Sequence, residues 1–371
     1  MNQMVEIAYI GSLAAPEIAC GRHRIQFINR KPRAVNSDVA ERLLKQKDFC
    51  RADELVITME EKIRGGYVLV KRWGALGDLL MLRAVISAFQ RQSPQYRFGL
   101  WCDERWEDVF ASDRLWDVVN PANKDTPQSI SFDQVAEQDH RGGESQSRID
   151  LMMSILTQKQ LDLTEADWRI PAPDHIKKDV DAWMASRRPG PSHAPLIGMQ
   201  VRGSGLMKQL PDRQIRSLAG KLTALGDVVL IEHERERTWE APGIYSMPGR
   251  SVLHSIELLR RCDLCVCFDS GVLWMAHAAP CKVLCVMGPT RPEQRLTKHP
   301  LYPSGGARAF KLNDIVQFPN GKRGCPACFE KADACKQHFT CMQGQPDHVV
   351  DLIAHEAELV LNGTLPLPVV S

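Results

Sequence analysis

The residues able to do chemistry in this sequence gather where apolar runs give way to glycine. WGALGD (73–78) places Gly74 and Gly77 in a turn and Asp78 at the start of a helix. Glycine lets a ligand approach the backbone closely. A carboxylate at a helix start is stabilised by the N–H groups exposed there. Asp78 therefore reads either as a helix cap or as a general base. The spacing G-x-x-G-D matches neither G-x-G-x-x-G nor G-x-x-x-x-G-K-[ST], so the usual nucleotide phosphate loops are not supported. RGSGLMKQLP (202–211) offers Arg202, Ser204 and Lys208 around two glycines. Cations, a hydroxyl and backbone N–H groups are what a pyrophosphate needs; an ordinary basic loop is the plainer alternative. Glu232 ends the run DVVLIE, where a carboxylate can hold a ribose hydroxyl, although EHERER (232–237) reads equally well as a solvated charged helix start. DSG (269–271) opens another helix, and Asp269, Ser270 and Gly271 with its free N–H groups make a phosphate or sugar site. GPTRPEQR (288–295) follows the next apolar run. Four successive polar, glycine-containing strand ends suggest a nucleotide-sugar cleft.

Elements of two kinds must position these groups. YVLVKRW (67–73) and YRFGLWC (96–102) read as buried strands, and RLWDVVNP (114–121) as a weaker third. Between the first two, Leu82, Val85, Ile86 and Phe89 repeat as one face of a helix. Strand, turn, helix and strand make a βαβ unit and imply a parallel sheet. Residues 121–148 are polar and read as mostly a loop. Prolines and Gly190 between 171 and 196 suggest a linker enclosing a short helix (174–187). A second series then begins: strands at 194–201, 227–232, 263–268 and 282–288, with helices at 212–225, 251–262 and from 271, and a last helix at 347–361. In such sheets ligands sit beyond the carboxyl ends of the strands. Before all this, 5–11 and 23–28 read as short strands and 37–49 as a short helix. The expected division is a small β-rich N-terminal domain (1–62), a first Rossmann-like lobe (63–175) and a second one (176–371).

Lys and Arg number 47 against 45 Asp and Glu, a formal net charge of +2. That balance lacks the domain-wide positive excess of a nucleic-acid binder, although a modified base as ligand stays open. No run of 18 apolar residues occurs. The first residues lack the basic-then-apolar order of a secretory signal, so a cytoplasmic protein is expected. The chain has 12 cysteines. Cys325, Cys328, Cys335 and Cys341 lie close together in CPACFEKADACKQHFTC, with a single C-x-x-C to nucleate a Zn or Fe site. Free thiols are the alternative. The other eight read as small core residues.

VLVKRWGALGDLLML (68–82), IGMQVRGSGLMKQLPDRQIRSLAGKL (197–222) and CDLCVCFDSGVLWMAHAAPCKVLCVMGPTRPEQ (262–294) together resemble the ADP-heptose:lipopolysaccharide heptosyltransferases, glycosyltransferase family 9. The resemblance spans roughly residues 66–360. It implies an α/β protein of GT-B fold and an inverting, metal-independent transfer from a nucleotide sugar, typically ADP-heptose, to a saccharide or protein hydroxyl. By it Asp78 is the base, Gly74 and Gly77 lie on the acceptor side, and Arg202, Ser204, Lys208, Ser270 and Gly271 attend the diphosphate. Asp269 meets the donor sugar and Glu232 the nucleoside. Family members commonly carry His five residues after the Asp of D-[ST]-G; this chain has Trp274 there, with His277 three residues further on. The β-rich start and the four clustered cysteines resemble the autotransporter heptosyltransferase branch, which implies a cysteine-ligated structural iron; the residues themselves leave iron or zinc open, and residues 1–62 read as a folding accessory or as the means of forming a homo-oligomer. The resemblance also implies a cytoplasmic protein, with a position peripheral to the inner membrane left open. A non-catalytic assembly protein of the same fold and a sugar-nucleotide epimerase are the alternatives.

Overall fold

The computed structural model describes residues 4–9, 17–20, 23–26, 33–46, 49–51, 66–122, 128–133, 147–157, 161–188, 194–203, 205–231, 239–247, 250–288, 290–302, 304–312 and 339–363. These fall into two compact units, one of residues 1–74 with 81–163, the other of 75–80 with 164–371.

The first unit opens with β1 (Met4–Tyr9), a hairpin of β2 (Glu17–Cys20) and β3 (His23–Gln26), β4 (Arg33–Asn36), helix α1 (Ser37–Leu44) and β5 (Phe49–Arg51). β1 is central in an antiparallel sheet of order β4-β1-β5. Ile7, Val35, Ala40, Leu43 and Phe49 form its small core. A parallel sheet follows, of order β8-β7-β6-β9, from β6 (Tyr67–Lys71), β7 (Arg97–Trp101), β8 (Trp116–Val119) and β9 (Ser129–Ser131). β9 is a short strand within the stretch 121–148 that the sequence reads as mostly loop. Its sequence, SIS, has no apolar run, and it is drawn into the sheet by backbone pairing alongside Leu69–Lys71. Helix α2 (Leu76–Gln92) follows β6, and α3 (Arg148–Leu156) is capped by the Ser147 hydroxyl, which accepts from the Asp150 N–H.

The second unit holds α4 (Asp174–Arg187), β10 (Leu196–Gln200), α5 (Asp212–Leu222), β11 (Asp227–Ile231), β12 (Ile244–Ser246), α6 (Val252–Leu259), β13 (Leu264–Phe268), α7 (Gly271–Ala278), β14 (Lys282–Met287), β15 (Ala307–Lys311) and α8 (Val349–Asn362). All six strands are parallel, in the order β12-β11-β10-β13-β14-β15. The chain moves outward from β10 through β11 to β12, then returns to the other side of β10 for β13. The strand order therefore reverses between β10 and β13, the place where such sheets bind ligands. Alternation divides each strand between two layers. Ile197, Met199, Leu264, Val266, Leu284 and Val286 join one core with Leu218 and Leu222 of α5 and Ile353 and Ala357 of α8. On the other face Gly198 lies against Leu259 and Cys262. Cys265, Cys267 and Cys285 are buried, as expected of small core residues. Among the described residues no helix is long and apolar enough to cross a membrane.

Candidate active site

Gln200 ends β10 and is buried, a single amide closing an apolar strand. Its Oε1 accepts from the Phe268 N–H at 2.9 Å and from the Ser270 hydroxyl at 2.9 Å, and its Nε2 donates to the Arg202 carbonyl. One side chain thus ties the loop after β10 to the turn after β13, across the reversal in strand order. Ser270 also caps α7, its Oγ accepting from the Val272 N–H at 3.3 Å. The first N–H groups of α7 have no partners within the helix.

Asp269 is 6% exposed. Its Oδ2 accepts from the Thr290 hydroxyl at 2.7 Å and its Oδ1 from Arg295 Nε at 2.9 Å. Burial pushes its carboxyl up, but the charges of Arg295 and Lys208 and the hydrogen bonds from Thr290 and Arg295 outweigh burial and bring it to about 2. Asp269 is therefore a fixed anion, held by the segment after β14 and close to the Lys208 charge.

Lys208 ends a short turn of helix, Leu206–Lys208, and is half-buried. Gly203 is required there because a side chain would meet the backbone of Lys208. Gln343 Nε2 donates to the carbonyls of Leu206 at 2.9 Å and Gln209 at 2.8 Å, fixing the loop from below. Arg202 stands at the exposed rim, 3.6 Å from Asp212. Ser204 and Glu232 lie outside the described residues.

Asp78 is 7% exposed and sits in the first turn of α2, which groups with the second unit. Gly77 lies within that helix, not in the turn before it. The space its side chain would take is filled by the Trp274 indole. Close packing of protein, rather than approach of a ligand, thus accounts for this glycine. Gly74 stays with the first unit, its carbonyl accepting from Trp106 Nε1 at 3.2 Å. Trp274 is buried and stacks on Trp168 with 6.0 Å between centroids and 16° between planes. His277 is fully buried against both indoles and His299, and its Nδ1 donates to the Leu273 carbonyl at 2.8 Å. It is a core residue.

Of the four clustered cysteines, Cys325, Cys328 and Cys335 lie outside the described residues. Cys341 is buried in the apolar core beneath α5 and α8. Among the described residues no group of three or more His, Cys, Asp or Glu is placed to hold a metal ion. Gln200, Thr290 and Arg295 are site residues that the sequence reading did not single out. Gln200 had one signal, a polar residue ending an apolar strand. Thr290 and Arg295 had none beyond lying in GPTRPEQR.

No family model matches the chain, and no curated protein matches it. Solved structures do. A glycosyl transferase family 9 protein from Veillonella parvula DSM 2008 aligns over 81% of this chain and 98% of its own, at 12% identity and a TM-score of 0.57. TibC, an iron-containing dodecameric glycosyltransferase from enterotoxigenic E. coli H10407, aligns over 78% of each chain at 16% identity and a TM-score of 0.50. The structure of the heptosyltransferase TibC in complex with ADP-D-beta-D-heptose covers 80% of this chain and 78% of its own, at 14% identity and a TM-score of 0.52. At these identities the likeness is one of fold: the chain is an α/β protein with the GT-B fold of the glycosyltransferase family 9 structures.

Proposed function

We propose that this protein is an inverting glycosyltransferase that moves a sugar from a nucleotide sugar, ADP-heptose by resemblance, to an acceptor hydroxyl. One observation carries the reading. The turn bearing Asp78 belongs to the same compact unit as Lys208, Asp269 and Ser270, packed through Gly77 onto Trp274 of α7. A candidate base and a candidate diphosphate cradle are thereby built on one framework. Asp78 takes the proton of the acceptor hydroxyl as its oxygen attacks the anomeric carbon. The bond to the diphosphate breaks on the opposite face, and the configuration inverts. Negative charge grows on the departing diphosphate, where Lys208 and the N–H groups opening α7 meet it. Asp269, already fixed as an anion, faces the donor sugar's hydroxyls as an acceptor. General-base catalysis is worth roughly 10²–10⁴-fold. Asp78→Asn is therefore expected to lower kcat by that factor while nucleotide-sugar affinity, measured by calorimetry, stays within a few-fold. Full turnover in Asp78→Asn would remove the base from the mechanism.

Trp274 favours one other reading. An indole buried in packing cannot take the part of the family's His, and a non-catalytic assembly protein of this fold would show nucleotide-sugar binding without turnover, or no binding at all. Product formation with ADP-heptose and a lipopolysaccharide core acceptor separates the two. The four cysteines have the donor chemistry of a structural iron or zinc site, and no step of the transfer passes through it. Metal analysis of the purified protein is expected to find about one equivalent, and a metal-free protein would remove that site.

A further inference from the structure

Trp73 is 53% exposed, more than any other large hydrophobic residue described. Single exposed apolar residues are ordinary, but this one is built in. The ring meets Trp101 edge-on, with 5.9 Å between centroids and 61° between planes. Trp101 ends β7 and carries Lys71 Nζ 5.4 Å from its ring centre. The chain on both sides of Trp73 is locked. Arg72 is buried, its backbone N–H donating to the Trp101 carbonyl at 3.0 Å and its Nη1 to the Phe132 carbonyl at 2.7 Å. Trp106 holds the Gly74 carbonyl. The Trp73 N–H donates to Asp133 Oδ1, and the Ser131 hydroxyl donates to Asp133 Oδ2 at 3.0 Å. Trp73 and Asp133 are both exposed, one presenting an indole and the other a carboxylate whose two oxygens can each accept more than one hydrogen bond. All of these residues lie in the first unit, at or beyond the carboxyl ends of β6, β7 and β9.

We propose that Trp73, backed by Trp101 and flanked by Asp133, is a saccharide-binding platform that takes one pyranose ring. The match is chemical. A pyranose has an apolar face of C–H bonds bearing slight positive charge, which the negative face of an indole attracts. Around its rim are hydroxyl donors, which an ionised carboxylate accepts strongly. A nucleobase fits less well, because Asp133 offers no donor to ring nitrogens or carbonyls and repels the phosphate of a nucleotide. The two indoles stand edge to face and do not form the parallel slot that grips a flat base on both sides. The platform rests on these residues alone. Its assignment as the acceptor subsite, which makes the acceptor a saccharide and not a protein, rests on the transferase reading above.

The test is saturation-transfer NMR on the full-length protein with the methyl pyranosides of glucose, galactose, mannose and a heptose. Adenosine and a serine-containing peptide serve as comparators. Transfer to the ring C–H protons of at least one pyranoside is expected. Affinity should fall tenfold or more in Trp73→Ala and several-fold in Asp133→Asn, with unfolding midpoints unchanged because both side chains are exposed. ADP affinity should be the same in all three proteins. No transfer to any pyranoside, transfer unaffected by both variants, or tighter binding of adenosine or the peptide at Trp73 would each overturn the platform. Loss of ADP binding in the unaltered protein would instead count against the transferase reading, since no platform residue belongs to the unit that carries the nucleotide cradle.

Discussion

Arg295 and Asp269 are both almost wholly buried, at 3% and 8% side-chain exposure, and join at 2.9 Å. The desolvation of two such charges is offset by their attraction only while both are present and hydrogen-bonded. Asp269 satisfies this with Thr290 and Arg295. The consequence is asymmetric. Arg295→Met leaves a carboxylate buried without its cation and is expected to cost about 3–5 kcal/mol. The double variant Asp269→Asn with Arg295→Met removes both charges and should recover much of that loss. Urea unfolding of the three proteins checks it, and an Arg295→Met midpoint equal to that of the unaltered protein would show the pair to be idle. Asp269 was legible in the sequence because D-S-G opens a helix after an apolar strand. Its partners were not, because they stand 21 and 26 residues further along the chain. Nothing local in GPTRPEQR distinguishes the arginine that turns back to Asp269 from Arg291, which is exposed.

Elements with a long apolar face declared themselves. α2 carries Leu82, Val85, Ile86 and Phe89 into the core, and β10, β11, β13 and β14 are buried runs whose neighbours on both sides satisfy the backbone. β9, β12 and β15 were missed for a shared physical reason. Among the described residues each lies at the edge of its sheet, is only partly buried, and offers a short or interrupted apolar pattern (SIS, IYS and ARAFK). The join between α2 and α7 was hidden in a different way. Gly77 looks like a loop glycine in sequence, whereas in the helix it makes room for Trp274. A methyl group there must push the indole aside in a packed core, at a cost of about 1–3 kcal/mol. Gly77→Ala is therefore expected to lower stability although alanine favours helices. Trp274→Leu in the same chain should relieve part of the clash, which a double-mutant cycle reads as a favourable coupling. Additive losses would mean that the two positions do not meet.

For the molecule as a whole, the two units need not answer to acid alike, because the His277 and His299 imidazoles, which meet edge to face, both belong to the second. Burial pushes the His277 imidazole down to about 4. Burial, with the nearby His277, pushes His299 down as well. An unfolded chain leaves both near 6.5. Between about pH 6.5 and 4 the unfolded state therefore binds more protons than the folded one, and stability must fall as pH falls. At 1.36 kcal/mol per unit, His277 alone removes about 2 kcal/mol at pH 5, and the loss is complete below about pH 4. Asp269 acts in a separate window. Its carboxyl, at about 2, supplies stability that is present above the usual carboxylate range and lost only as pH falls towards 2. Unfolding measured between pH 7 and 5 thus isolates the imidazoles. Thermal melts followed by hydrogen exchange should show segments of the second unit, such as β13 and α7, losing protection at pH 5 while β6 and β7 of the first hold theirs. His277→Gln removes one titrating group and should shrink the shift by about 2 kcal/mol. An equal shift in that variant, or loss confined to the first unit, would remove the buried imidazoles as the cause.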